Sequence, residues 1–296
     1  MTAHHERAAL IALLRTTTRP WSAVTDDIEA AGSAIAVLEA ELRPAQRQLF
    51  EEPADVEAVV EAAAADLATW ARDGIQVVSI LDADYPAQLL TIHQRPPFLM
   101  VRGALDPADA RGVAVVGTRS ATSRGLDAAA TLANALVARG VPVISGLAAG
   151  IDTAALTAAV DAGGRTVAVI GTGIRRAYPA QNVDLQERIA TTGLVLSQFW
   201  PDAPPTKTSF PMRNAVMSGY AAATVVIEAA WKSGARMQAR LALEHGRPVF
   251  LLAPLLEHDW AREYARRPGA VVVRDADEVA ERLDRLAHSL DELTWA

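Results

Sequence analysis

The strongest constraint on the fold of this chain is an alternation of short β-branched runs with helical stretches that begins at residue 113. A run that is apolar at every position predicts a strand buried on both faces, and strands that alternate with helices pair in parallel. The pattern therefore predicts an α/β fold, that is, a mostly parallel sheet with helices on both faces. The last predicted elements of this fold are a strand at 269–273 and a helix at 275–290. The other predicted strands are 113–117, 141–145, 166–171, 194–197, 223–229 and 248–252, and helices are predicted at 124–139, 151–162, 181–191 and 233–245.

The segment before this pattern is predicted to be helical. Apolar residues recur at helical spacing between residues 6 and 70, and Pro20, Pro44 and Pro53 interrupt them. A lead-in segment follows, with strand candidates at 75–80 and 98–102 around a Pro-rich stretch. The predicted domains are thus a small helical domain, 1–72, and an α/β domain, 73–290, made of the lead-in 73–112 and a core at 113–256.

Several classes of protein are excluded by composition. The chain of 296 residues has no cysteine, no apolar run as long as a membrane span and no signal-peptide pattern at its start. We therefore expect a cytoplasmic protein with no disulfide and no membrane partner. The six histidines lack metal-ligand spacing, and neither G-x-G-x-x-G nor a Walker lysine motif is present, so no metal and no cofactor are expected.

Charge is distributed unevenly along the chain, whose net charge is −7. Residues 1–60 carry ten acids against five arginines, whereas residues 162–243 carry nine bases against four acids. The middle of the chain is therefore locally basic within an acidic whole. An anionic partner would explain this distribution, and a nonspecific imbalance of charge is the alternative.

Glycines follow three of the predicted strands, at the edge where open parallel sheets bind ligands. Gly117 follows the first strand, Gly146 the second, and Gly171 and Gly173 the third. Glycine lets backbone amides approach an anion, and the next helices point their positive N-terminal ends at the same edge. Ordinary turn geometry is the alternative explanation for each glycine taken alone.

The segment 206–219, "TKTSFPMRNAVMSG", is interpreted as a polar loop between two apolar stretches. It contains one of the two lysines of the chain, and no acid occurs between residues 203 and 227. Proteins that hold single-stranded nucleic acid combine cations for the phosphates with aromatic faces for the bases, and Lys207, Phe210, Arg213 and Asn214 provide both. The alternative is a phenylalanine that plugs the core beside solvated cations.

Candidate catalytic residues are few. Glu228 ends a buried strand, where it is either a site carboxylate or a capping or ion-pairing partner. Asp152, just inside a predicted helix, is interpreted as a residue that caps the helix or complements its dipole. Since no nucleophile with a partnered base is evident, the chain is not predicted to be an enzyme.

Five sequence blocks occur in a family-specific order: "VAVVGTRSATSRG", "VISGLAAGIDTAAL", "GGRTVAVIGTGIRRAYPAQNVDL", "SFPMRN" and "VVIEAAWKSGA". Together with the lead-in, they resemble the bacterial DNA-processing protein DprA family, also called Smf, over about residues 74–256. The resemblance implies an extended Rossmann-like domain, doubly wound, that binds single-stranded DNA. It also implies a homodimer without established catalytic activity, which protects DNA and loads the recombinase RecA during natural transformation or recombination.

The resemblance also assigns roles to residues of this chain. The DNA-contacting positions carry over to Gly117, Thr118, Arg119, Lys207, Phe210, Arg213 and Asn214. Gly146, Gly150, Gly171 and Gly173 are expected to shape the same groove. Arg175, Ser233 and Arg236 are further candidates for phosphate contacts.

Departures from the family pattern identify a divergent member. Leu156 stands where the family has His, Ala149 and Ala215 where it has Arg, and Gln198 where it has Glu. The stretch "SGARMQA" replaces "SGS-L-I-T-A", and the C-terminal winged-helix domain of many members is not expected here.

Two alternative functions are compatible with such a divergent sequence. One is a nucleotide-binding or NAD-derivative-binding Rossmann-like protein, either a sensor or an N-glycosidase-type hydrolase that uses Glu228. The hydrolases typically carry Pro-Gly-Gly-x-Gly-Thr-x-x-Glu, which is absent from this chain. The other is a DprA-like protein that acts in phage defence.

Overall fold

The computed structural model describes residues 2–42 and 55–294, with side chains described as far as residue 285. Its strands form one sheet in the order β1-β2-β6-β5-β4-β3-β7-β8-β9. The strands are β1 (Gln76–Ser79), β2 (Phe98–Gly103), β3 (Val113–Val116), β4 (Val143–Ser145), β5 (Thr166–Val169), β6 (Leu194–Ser197), β7 (Ala223–Val226), β8 (Val249–Leu252) and β9 (Ala270–Val273).

The sheet confirms the predicted α/β class. Strands β3 to β9 pair in parallel, whereas β1 and β2 are antiparallel at one edge. Strands β3 to β8 are buried at almost every position because helices cover both faces, as their unbroken apolar runs predict. The helices are α1 (Ala3–Thr16), α2 (Trp21–Ala31), α3 (Ala34–Leu42), α4 (Val56–Arg72), α5 (Ser123–Val137), α6 (Ile151–Asp161), α7 (Val183–Thr192), α8 (Ser209–Tyr220), α9 (Gly234–Glu244), α10 (Asp259–Tyr264) and α11 (Ala276–Thr294).

The order of the strands fixes where a ligand can bind. From β3 the chain proceeds outward through β4, β5 and β6, and then returns to place β7 on the other side of β3. Val113 consequently pairs with Val143 of β4 on one side and with Ala223 of β7 on the other. Such a reversal opens a crevice beyond the carboxyl ends of the two strands where it occurs. The fold therefore directs the search for a site to the loops that follow β3 and β7.

The N-terminal helices pack against the antiparallel edge of the sheet through aromatic rings. The ring of Trp21 lies 5.4 Å from that of Phe98 and 5.6 Å from that of Trp200, measured between centroids. The predicted break at Pro20 is confirmed, because α1 ends at Thr16 and α2 begins at Trp21. The breaks predicted at Pro44 and Pro53 lie outside the described residues. The division into domains 1–72 and 73–290 stays a prediction.

The interpretation of residues 206–219 as a loop is wrong, because helix α8 occupies Ser209–Tyr220. Its first turn is fixed by reciprocal bonds: the Ser209 amide donates to Thr206 Oγ1 and the Thr206 amide donates to Ser209 Oγ, both at 3.0 Å. Pro211 lies in this first turn, where a missing amide hydrogen costs nothing. Most of α8 is buried, so its sequence lacks the one-sided apolar stripe that identifies a surface helix.

No helix in the described part of the chain is long and apolar enough to span a membrane.

Candidate functional site

A cleft of about 390 Å³ lies at the crevice that the strand order predicts, beyond the carboxyl ends of β3 and β7. Its walls are the loop after β3, the first turns of α8 and the loop that leads into α9. These elements are distant in the sequence and meet because parallel strands end at a common edge. The cleft is lined by seven of the predicted site residues: Gly117, Thr118, Arg119, Phe210, Arg213, Asn214 and Ser233.

Phe210 presents an aromatic ring at the mouth of the cleft, with a cation beside it. The guanidinium carbon of the exposed Arg119 lies 5.0 Å from the Phe210 ring centroid, within the range of a cation–π interaction. The ring of Tyr178 lies 5.5 Å away on another side. A Cβ atom at Gly171 would approach Phe210 Cδ1 to 2.8 Å. The absence of a side chain at Gly171 thus leaves room for the Phe210 ring. Phe210 is half-buried and does not fill the core.

Arg213 is buried under the cleft, with only 5% of its surface exposed. Its Nη1 donates to the carbonyl of Val169 at 2.9 Å and to that of Gly146. A Cβ atom on Gly146 would overlap this guanidinium. Gly146 therefore makes room for an arginine, whereas the sequence suggested close approach of an anion to its amide.

The charge of Arg213 is only partly compensated. Within the described part of the chain, its Nε is buried without a hydrogen-bond partner and its Nη2 has none either. Burial lowers the pKa of Arg213, and so does the charge of Arg119, while Asp152 raises it. A buried cation without full compensation is costly, so this corner of the cleft favours an incoming anion.

Asp152 is the buried carboxylate of the site, and two backbone amides donate hydrogen bonds to it. Its Oδ2 accepts from the amides of Gly146 at 3.1 Å and Ala148 at 3.4 Å. Burial raises the pKa of Asp152, while the charge of Arg213 and these two amides lower it. Asp152 thus orders the loop after β4, whereas the sequence suggested a cap or dipole partner for α6.

Lys232 is a cleft residue that the sequence reasoning missed. It is exposed, lines the cleft from the loop before α9, and its side chain forms no ion pair or hydrogen bond with any described residue. Next to it, Ser233 caps α9, its Oγ accepting from the Ala235 amide at 3.2 Å. The available signal was the rarity of lysine, since Lys232 is the other of the two lysines in the chain.

The remaining predicted cations lie outside this cleft. Lys207 is exposed in the turn before α8 and does not line it. Arg175 forms ion pairs with Asp73 and, at 2.9 Å, with Asp202. Arg236 lies over the ring of Trp231, 3.8 Å from its centroid. Of these three, Arg175 is the one whose charge is already neutralised.

Two further glycines shape the loops by close packing. Gly150 has a φ of 82°, and a Cβ atom there would lie 2.8 Å from the Arg119 carbonyl oxygen. It therefore holds the loop after β3 against the start of α6, in a backbone conformation that favours glycine. At Gly173 a Cβ atom would overlap the carbonyls of Trp200 and Pro201.

Glu228 serves as a structural partner for the loop after β3. Its carboxylate accepts from the Thr122 amide at 3.1 Å and from Thr122 Oγ1 at 2.9 Å, at the start of α5. Its backbone oxygen also accepts from the Thr118 amide at 2.6 Å. Of the two roles open from the sequence, these contacts favour the capping partner over the site carboxylate. Among the residues that the structure describes, no group of three or more acidic or histidine side chains could hold a metal ion.

Comparison with known proteins gives consistent matches. The family model described as DNA recombination-mediator protein A matches residues 76–284. Protein Smf of Synechocystis sp. is 42% identical over 175 residues, which cover 58% of this chain and 44% of that relative. The match thus spans less than half the length of that relative.

Two solved structures have the same fold. The X-ray structure of DprA from Streptococcus pneumoniae matches with a TM-score of 0.68 and 29% identity, over 94% of this chain and 95% of that one. A structure of DprA from Helicobacter pylori, described for its single-stranded DNA binding mode, matches with a TM-score of 0.64 and 26% identity, over 73% of this chain and 96% of that one.

Proposed function

Because this chain belongs to the DNA recombination-mediator protein A family, we propose that its cleft binds single-stranded DNA. The observation that carries the proposal is Arg213, a buried arginine that lines the cleft and whose Nη2 has no hydrogen-bond partner among the described residues. Arg119 and Lys232 line the same cleft. A phosphate bound there would compensate the buried charge of Arg213. It would also contact the side chains of Arg119 and Lys232.

The aromatic ring at the mouth of the cleft determines which form of DNA would bind. Phe210 can stack on a base only when that base is unpaired, because the faces of paired bases are already stacked in a duplex. Phosphates on the cations and a base on Phe210 require no particular sequence. Binding is therefore expected to be sequence-independent and to weaken as salt increases.

A stacking role for Phe210 is tested by fluorescence-anisotropy titration of oligo-dT and of duplex at two salt concentrations. We expect the parent to prefer the single strand, and Phe210→Leu to bind it about 5- to 150-fold more weakly, because stacking on an aromatic side chain contributes about 1–3 kcal/mol per base. Phe210→Tyr keeps a ring and serves as the matched control, with near-parental affinity. If Phe210→Leu bound as tightly as the parent, or the parent preferred duplex, the site would be rejected.

We propose that the cleft binds DNA without catalysing a reaction on it. The carboxylate of Glu228 is engaged by Thr122 through two hydrogen bonds, which leaves it poorly placed to assist cleavage of a glycosidic bond. Incubation with NAD or nucleoside monophosphates should release no base. Turnover that depends on Glu228 would contradict this proposal and favour an N-glycosidase.

The wider role proposed for the protein rests on family membership. It would act as a cytoplasmic homodimer that protects single-stranded DNA and loads RecA onto it, in natural transformation or recombination. Light scattering gives the oligomeric state, and nuclease digestion of the complex measures protection. Assembly of RecA on a strand coated with single-strand-binding protein measures loading; a monomer that neither protects DNA nor stimulates assembly would contradict the role.

A further inference from the structure

A second cleft, of about 320 Å³, adjoins the first on the side of α9. Lys232 and Ser233 line both clefts, so the two are contiguous. The other charged residues that line the second cleft are Arg236 and Arg240, and none of the carboxylates that the structure describes lines it. Cations therefore line the second cleft as well as the first, which we call the Phe210 cleft, and Lys232 lies where the two adjoin.

Trp231 stands at this second cleft with 55% of its surface exposed, more than any other large apolar side chain in the described part of the chain. The Arg236 guanidinium carbon lies 3.8 Å from the Trp231 ring centroid and 5.8 Å from that of Tyr264. The Nη1 of Arg236 also donates to the Trp231 carbonyl at 3.4 Å. The cation–π contact restricts the indole at the surface, which lowers the entropy lost when a flat ligand stacks on its exposed part.

The charges around Trp231 determine which kind of partner fits. Within the described residues neither Lys232 nor Arg236 forms an ion pair, and Arg236 Nε is buried without a hydrogen-bond partner. Arg240 pairs with Glu244 at 2.7 Å, on the solvent side of α9. An exposed aromatic ring among cations matches a chain of phosphates and unpaired bases, whereas an apolar protein surface would leave these cations desolvated and unpaired.

We propose that a DNA single strand bound in the Phe210 cleft continues over Trp231, which is a second stacking platform, while Lys232, Arg236 and Arg240 contact the phosphates between and beyond the two rings. This inference deepens the proposed function and rests on it.

The test is a length series of oligo-dT, with strands of about 5, 10 and 20 nucleotides that bracket a site of roughly 4–16 nucleotides. Trp231→Ala should bind the shortest strand like the parent and the longest about 5-fold or more weakly, since one stacked base is lost. Trp231→Phe should keep the affinity for the long strand, but should lose the part of the DNA-induced quenching of tryptophan emission that we expect from Trp231, one of six tryptophans in the chain. Leu90→Ala, at an exposed apolar residue of the lead-in, is the control and should change nothing.

The outcomes separate the two proposals. If the parent fails to bind any single strand, the proposed function itself fails. If the parent binds but Trp231→Ala matches it at every length, the second platform is rejected and the Phe210 cleft stands. A third outcome is that Trp231→Ala loses affinity for the long strand and also changes its oligomeric state, as measured by light scattering. The surface around Trp231 would then join copies of this chain, and the proposal would be rejected.

Discussion

Replacing both Arg119 and Lys232 by alanine is expected to weaken the binding of single-stranded DNA by about 100-fold at moderate salt. Both side chains line the cleft and are exposed, and neither forms an ion pair with a described residue. A hydrogen bond to a charged group contributes about 1.5–3 kcal/mol, so the loss of two phosphate contacts accounts for an effect of this size. The structure should be unaffected, because no described contact depends on the charge of either residue except the approach of Arg119 to Phe210.

The dependence on salt distinguishes phosphate contacts from a general effect of charge. For single strands the slope of log K against log salt changes by about 0.7 for each phosphate contact, so the double variant should lose about 1.4 from its slope. The matched control is Arg111→Ala with Arg266→Ala, which removes the same charge from exposed positions outside both clefts that likewise form no ion pair with a described residue. An unchanged slope in the Arg119 and Lys232 variant, or an equal loss of affinity in the control, would contradict the assignment.

Arg213 is less suitable for such a test, although it carries the proposal. Its Nη1 satisfies the carbonyls of Gly146 and Val169, so an alanine there would leave two acceptors unpaired and open a hole beside Gly146. A loss of binding could then reflect a collapsed loop. Arg119 and Lys232 can be removed without this ambiguity because they reach the cleft from its rim.

The sheet and the general position of the site follow from the sequence because their causes are local or topological. Unbroken β-branched runs such as 113–117 predict buried parallel strands, and the ends of parallel strands meet at one edge whatever the side chains are. The sequence therefore predicts that the loops after β3, β4 and β5 meet at one edge of the sheet. The sequence predicts Gly117, Arg119 and Phe210 as candidate site residues because they lie at such ends or in a segment with a family-specific pattern, and all three line the cleft.

The parts that the sequence does not reveal depend on tertiary contacts. Helix α8 was interpreted as a loop because its burial on most sides removes the helical periodicity. The burial of Arg213 depends on the absence of a side chain at Gly146, which is 67 residues away in the sequence. Lys232 was missed since its proximity to Phe210 arises only when α8 and α9 pack side by side.

The last residue of α8 contacts a buried ion pair at the end of the helix opposite to the cleft. Asp109 is fully buried, and its Oδ1 accepts from Arg165 Nε at 2.9 Å. Its Oδ2 accepts from Arg165 Nη2 at 2.8 Å and from the Tyr220 hydroxyl at 2.9 Å. Tyr220 is the last residue of α8. Burial, followed by the charge of Asp109, raises the pKa of Tyr220, so its phenol stays protonated and donates to the carboxylate.

Asp109→Ala is expected to lower the free energy of unfolding by about 3 kcal/mol, the low end of the range for breaking a buried ion pair. The low end applies because the Arg165 side chain is 21% exposed and keeps some hydration, whereas the Tyr220 hydroxyl is left buried without an acceptor. Urea unfolding should show a lower midpoint with an unchanged m-value. Asp109 lies in a short 3-10 helix, Pro107–Arg111, which the exposed carboxylate of Asp106 caps, and Asp106→Ala should cost only about 0.5–2 kcal/mol. A loss at Asp109 no greater than at Asp106 would mean that Tyr220 and Arg165 do not depend on the carboxylate. The anchoring of α8 would then have to come from its apolar contacts alone.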